Sequence, residues 1–223
     1  VLVVYHGTVW SDNQIHSAAT TTLDKFSQIL DREDMMIISV VYPEENLLMG
    51  ENIVYAEAAL LWVQNLASTE LDVNINRIFL GGHSQGGYLV TRLNTMHQVD
   101  GVIANCPGPL DMLYRCQLEE EGTMELSNQC QQLQETYGST VDNPEPYDAI
   151  SLLSFTSGYK SPFLVIQGME DAAIQLHSWP IFKEEINRCS DCSSIQVVEA
   201  PQVGHPGLFE SSMAAEAFNN FVE

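Results

Sequence analysis

Short, almost wholly apolar runs alternate with helical patterns along this chain, and that alternation limits the available folds more than any other feature. Residues 1–5 read as a buried strand, and residues 6–13 as a loop. Residues 14–32 follow with helical spacing, with Ile15, Ala18, Ala19, Leu23, Phe26 and Leu30 on one side. Residues 36–42 form a β-rich run stopped by Pro43. Residues 51–67 form a predicted helix with Val54, Ala58, Leu61, Val63 and Leu66 at the apolar positions. Residues 77–81 form a strand that passes at once into a helix over 85–97, and residues 101–106, 162–167 and 194–199 complete the strand set. A sheet covered on both faces needs no polar side, so its strands read as continuous apolar runs. The pattern predicts an α/β fold, a three-layer α/β/α sandwich with a mostly parallel central sheet.

The 223 residues suit a single domain spanning 1–223. Residues 107–161 interrupt the alternation with Glu119-Glu120-Glu121, Gln131-Gln132 and the turn-forming Asn143-Pro144-Glu145-Pro146. An insertion of this length in a compact domain is expected to be a cap or lid over a cleft. No internal repeat is visible, and neither a repeat nor a heptad pattern sets an oligomeric state. No apolar run is long enough to span a bilayer. The chain opens in mid-strand with no initiator Met and no signal-peptide pattern, so an upstream segment is expected to be missing.

Thirty acidic residues against eight Lys and Arg give a net charge of −22. Such a chain repels nucleic acids and anionic membranes, which disfavours partners of either kind. The scarcity of lysine, with only Lys25, Lys160 and Lys183, raises adaptation to high salt as an alternative to ordinary solubility. Five cysteines are too few for a disulfide-built scaffold and leave at least one thiol free. Cys106 ends an apolar run and is expected to be buried. Cys116 and Cys130 share one polar segment and can pair, and Cys189 and Cys192 form a CxxC that follows a helix. No second ligand pair accompanies that CxxC, so no metal site is expected. Disulfides at these pairs would fit a soluble, extracytoplasmic (periplasmic or secreted) protein.

Gly82-x-Ser84-x-Gly86 lies where a predicted strand meets a predicted helix. A sharp strand-to-helix turn pushes a serine hydroxyl out over the sheet edge, and small flanking residues avoid the clashes this creates. Such a serine needs a base, and the base needs an orienting acid. Asp171 follows the predicted strand 162–167, and His205 follows the strand 194–199 in the loop Gly204-His205-Pro206-Gly207. Both therefore fall at the carboxyl edge of the sheet, where such folds place their ligands. Glu170 is the competing acid, its neighbour favoured because the first residue of the pair more often supports the turn. His177 is the competing base, expected at a helix start or cleft wall, and His83 is expected to point away from the serine. The amide of Gln85 is a candidate oxyanion donor, with a second from the loop after the first strand, Thr8 before Val9. Val9, Trp10 and Trp179 are candidates for a pocket wall.

The residues Tyr5-His6-Gly7, Gly82-His83-Ser84-Gln85-Gly86-Gly87, Ser161-Pro162, Gly168-x-x-Asp171 and Gly204-His205 resemble the α/β-hydrolase superfamily. Within it they resemble dienelactone-hydrolase-like and prolyl-oligopeptidase-like serine hydrolases. The resemblance spans nearly the whole chain, and the order Ser84, Asp171, His205 is that of the family's triad. It implies a Ser84–Asp171–His205 triad, no cofactor and a small-molecule ester as substrate. Thr8 stands where the family usually has glycine after His-Gly. A serine nucleophile, where dienelactone hydrolases use cysteine, disfavours lactone opening. The expected function is a serine carboxylesterase working through an acyl-enzyme. A peptidase or amidase, and a catalytically silent hydrolase-fold binding protein, are the alternatives.

Overall fold

The computed structural model describes residues 1–223. Its strands are β1 (Leu2–Tyr5), β2 (Ile37–Val40), β3 (Phe79–His83), β4 (Gly101–Asn105), β5 (Phe163–Gly168) and β6 (Ile195–Ala200). They form one sheet in the order β2-β1-β3-β4-β5-β6, and every neighbouring pair runs parallel. The predicted strand over 77–81 lies two residues further on, because Gly82 and His83 pair with Ala104 and Asn105.

The helices are α1 (Ile15–Ile29), α2 (Ile53–Asn65), α3 (Ala67–Glu70), α4 (Gln85–Met96), α5 (Met112–Glu120), α6 (Asn128–Tyr137), α7 (Glu145–Ile150), α8 (Ala173–Arg188) and α9 (Ser212–Val222). Successive strand residues point to opposite faces, which splits the core in two. Leu2, Val4, Phe79, Ile103, Leu164 and Ile166 face Phe26 of α1 and Phe218 of α9. Val3, Tyr5, Leu80, Val102 and Val165 face α2, α4 and α8, with Leu60, Leu89 and Phe182 among their partners. The sheet is therefore covered on both sides, as the apolar strands require.

The buried face of α2 differs from the predicted one. Ile53, Ala56, Leu60 and Val63 are buried, while Val54, Leu61 and Leu66 are exposed. This helix is apolar nearly all round, so spacing alone leaves its orientation open and packing on α4 and the sheet decides it. In α1 the buried positions are Ala19, Thr22 and Phe26, and Thr22 is polar. Helix α9 has no counterpart among the predicted elements, although Ala214, Phe218 and Val222 recur at four-residue spacing.

The interruption at 107–161 is built from α5, α6 and α7. Asp111 accepts the amide N–H of Tyr114 at the start of α5 (2.8 Å), and Ser127 accepts that of Cys130 at the start of α6 (3.2 Å). Such caps satisfy donors that have no carbonyl one turn earlier. Met112, Leu133 and Tyr147 pack with the Cys116–Cys130 disulfide into a small core of their own. Cys189 and Cys192 are also bonded to each other, and Cys106 is free and buried.

Candidate active site

Strand order reverses direction around β1 and β3. From β1 the chain goes to β2 on one side, and from β3 onward it builds away on the other. Loops leaving the carboxyl ends of β1 and β3 therefore diverge and open a crevice, the place where open parallel sheets hold ligands. Gly7 leaves β1 there, and Ser84 leaves β3.

Ser84 sits at φ 57° and ψ −120°, a left-handed conformation costly to a residue with a Cβ. The surroundings hold it there. Its N–H donates to the Asn105 carbonyl (3.0 Å), and its carbonyl accepts from Tyr88 (3.0 Å) and Gly108 (3.2 Å). A side chain at Gly82 would run into the backbone of Gly86, and one at Gly86 into the Tyr5 carbonyl. Glycine at both positions is what lets α4 start this close to β1 and β3. A Cβ on Gly7 would lie 3.3 Å from the Cβ of Ser84, so the loop after β1 passes directly over the serine. Gln85 heads the first turn of α4, and its backbone N–H, like the others there, lacks an earlier carbonyl and is available to an anion.

Asp171 and His205 meet across the ends of β5 and β6. His205 Nδ1 lies 2.9 Å from Asp171 Oδ2. Gln167 Nε2 donates to the same oxygen (3.0 Å), and the Ala172 N–H donates to Oδ1 (2.7 Å). Burial pushes the Asp171 carboxyl up, but His205, Ala172 and Gln167 together hold it below the ordinary aspartate value. The pair thus favours an ionised Asp171 with a proton on His205 Nδ1, which leaves Nε2 free as a base. The Ser84 hydroxyl makes no hydrogen bond to His205, a contact that commonly closes only in the complex with substrate. Ser84 and His205 line the same two clefts. One, of about 510 Å³, runs past Thr8, Val9, Trp10 and His83. The other, of about 450 Å³, is walled by Thr8, Asp171 and Gln175 and by Arg115 and Gln129 of the insertion.

Not every residue singled out in the sequence lies here. Trp179 does not wall these clefts: it is 1% exposed, packs in the core beside Phe182, and donates its indole N–H to Glu199 at 2.8 Å. It sits in the second turn of α8 on the face turned to the sheet. Trp10 is 58% exposed and borders the first cleft. His83 does not point away from the serine. Its ring lies 4.8 Å from that of His205, and it lines the cleft. Its burial, with a smaller contribution from the neighbouring His205 and Lys25 side chains, pushes its pKa down to about 3, so it is neutral. His177 is stacked on Tyr114, 4.1 Å away, and Glu170 is exposed.

Two supporting residues carried no motif. Asn105 at the end of β4 is fully buried and links the Ser84 turn to the His205 loop. Glu44, after β2, accepts from the side chains of Gln85 (3.0 Å) and Asn52 (3.4 Å), and burial raises its carboxyl to about 7. A polar residue closing an otherwise apolar run was the available signal for Asn105.

Cys106, Asp171 and His205 bring three potential metal ligands within 4.8 Å of one another. They fit an ion poorly. Burial pushes the Cys106 thiol up to about 12, so it is held protonated, and Asp171 already accepts three hydrogen bonds.

The BD-FAE family model matches residues 1–186. The chain belongs to the BD-FAE family. This is an α/β-hydrolase-type esterase domain. Among solved structures, a truncated carbohydrate esterase from gut microbiota is 16% identical, with a TM-score of 0.70 over 100% of this chain and 84% of that one. A bifunctional GH43-CE protein of Bacteroides eggerthii is 16% identical, with a TM-score of 0.74 over 99% of this chain and 31% of that one. Est1E of Butyrivibrio proteoclasticus is 15% identical, with a TM-score of 0.63 over 99% of this chain and 86% of that one. At these identities the likeness is one of fold. No curated protein matches the sequence.

Proposed function

We propose that the protein hydrolyses carboxylic esters by nucleophilic catalysis, with Ser84, His205 and Asp171 as its triad. One observation carries this reading: a serine held in a left-handed turn shares its clefts with a histidine whose Nδ1 is paired to a carboxylate. His205 Nε2 takes the Ser84 proton as Oγ attacks the acyl carbonyl carbon. The bond to the alcohol then breaks, and His205 returns the proton to the leaving oxygen. Water, deprotonated by His205, attacks the acyl-serine, releases the acid and restores Ser84. Asp171 fixes the imidazole tautomer and offsets its charge. The amides of Gln85 and Thr8 donate to the oxyanion, where one donor contributes roughly 10²–10³ in rate.

Insertion 107–161 acts in this scheme as a cap, because Arg115 and Gln129 reach the wall of the cleft. The substrate class is an ester borne on a carbohydrate, a reading supported by the names of two structural neighbours, a carbohydrate esterase and a GH43-CE protein. The two disulfides support an extracytoplasmic location. The −22 charge supports tolerance of molar salt, and a steep loss of activity there would remove that reading.

The test is hydrolysis of p-nitrophenyl acetate, butyrate and octanoate by the wild type and by Ser84→Ala, at low and high salt. Turnover that disappears in Ser84→Ala upholds the mechanism. A wild type inert to all three esters overturns it, and amide substrates are then tried.

A further inference from the structure

The cleft between Ser84 and the insertion contains one arginine and no lysine. Arg115, in α5, lines it together with Ser84 and His205, in a chain with only eight Lys and Arg residues in all. Its stem is anchored from below. Nε donates to Glu119 Oε1 at 2.9 Å, and the Glu119 side chain is fully buried. Glu119 is itself held by the amide and hydroxyl of Ser127, which bond its other oxygen at 2.7 and 2.8 Å. Next along the chain, Cys116 is tied to Cys130, which clamps α5 to α6. The guanidinium is thus fixed at Nε, and its two terminal nitrogens make no hydrogen bond within the chain.

A fork held this way is preorganised for bidentate contact with a planar oxyanion, and little further side-chain entropy is lost when it engages one. The amide nitrogens of Gln129 and Gln175, also on the cleft wall, already bond Met49, Pro107 and Gln167. Two acids share the cleft. Asp171 is engaged with His205, Gln167 and Ala172. Glu170 is exposed, where water and salt screen its charge, and it forms no ion pair with Arg115. A purely structural arginine would direct its terminal nitrogens to Glu119 or to helix carbonyls, whereas Arg115 leaves them without a partner and lines the cleft that holds the serine.

Resting on the ester-hydrolase reading, we infer that Arg115 is a specificity residue that receives a carboxylate carried by the ester substrate. The protein therefore favours esters that bear a second, ionised acid group on the acyl or the alcohol side. Ester cleavage proceeds as before, and the carboxylate is bound without being changed.

The experiment compares each acid with its own methyl ester. Mono-p-nitrophenyl adipate against methyl p-nitrophenyl adipate probes the acyl side, and meta-acetoxybenzoate against its methyl ester probes the alcohol side. In the wild type, kcat/KM should favour the acid about tenfold or more in at least one pair, mostly through KM and less so in high salt. Arg115→Gln should collapse that ratio toward one, and Arg115→Lys, a point charge without the fork, should restore part of it. Calorimetry with adipate adds a readout independent of turnover: the wild type should bind it and Arg115→Gln should not. Neutral esters hydrolysed with no acid preference in either pair would overturn the role of Arg115 and leave the hydrolase reading standing. If no ester is turned over, the hydrolase reading fails, and adipate binding decides the subsite alone. Should Arg115→Gln not fold, competitive inhibition of wild-type p-nitrophenyl acetate hydrolysis by adipate decides it, and no inhibition would sink the proposal.

Discussion

The side-chain oxygen of Asn105 accepts the backbone N–H of Leu208 at 2.8 Å, and this bond fixes which way the amide faces. Its nitrogen then donates to the Pro206 carbonyl (3.0 Å) and to Nδ1 of His83 (3.2 Å), which places the proton of neutral His83 on Nε2. Because the Asn105 carbonyl also accepts the N–H of Ser84, one buried residue ties the serine turn to the segment that follows His205.

Asn105→Ala should therefore lower kcat by about 10²-fold with little change in KM, the penalty typical when a reacting group is displaced by about 1 Å. Steady-state kinetics with a check of fold by circular dichroism tests this. An unchanged kcat in a folded variant refutes the positioning role.

Asp171→Asn replaces the acceptor facing His205 Nδ1 with a group able to donate, which favours the wrong tautomer. The expected loss in kcat is on the order of 10³–10⁴, with KM nearly unaltered. A loss smaller than tenfold would return Glu170 to consideration as the orienting acid.

Glu44 gives a pH-dependent prediction with a definite sign. Its folded-state pKa is raised from the ordinary 4.5 to about 7, so the folded protein binds the proton more tightly than the unfolded chain does. Stability falls as pH rises from about 4.5 through 7, and the penalty is fully present above 7. Glu44→Gln removes it and offers a donor to the side-chain oxygens of Gln85 and Asn52, which have no partner. Its melting temperature should exceed that of the wild type at pH 8, with little difference at pH 4. A wild type that is the more stable at pH 8 contradicts this.

The Cys116–Cys130 bond closes a short loop, with a sequence separation of 14. Replacing both cysteines with alanine should cost about 3 kcal/mol, felt mainly in the insertion. Thermal melts with and without reductant measure it. If the insertion walls the cleft, KM for longer esters should rise more than KM for acetate.

The fold class was legible because each strand of a doubly covered sheet is apolar along its whole length, and the sequence displays that directly. The positions of Ser84, Asp171 and His205 at the carboxyl edge of the sheet were legible as well, since each follows a strand and the glycines around Ser84 mark a turn few other residues allow. The orientation of α2 was not, because Val54 and Leu61 are as apolar as Ala56 and Leu60. Nor was the place of Trp179: proximity in sequence to Asp171 says nothing about which face of α8 it occupies.

The sequence by itself determined the strands, their alternation with helices and the candidates proposed for acyl-transfer chemistry, because these depend on local periodicity and turn sterics. Only the tertiary structure decided that Asn105 clasps the His205 loop, that Glu44 reaches Gln85, and that Arg115 lines the serine's cleft. Each joins segments 41, 103 or more than 30 residues apart. The partner of a buried polar group is chosen by the packing that removes water from it, and a linear pattern carries no record of that choice.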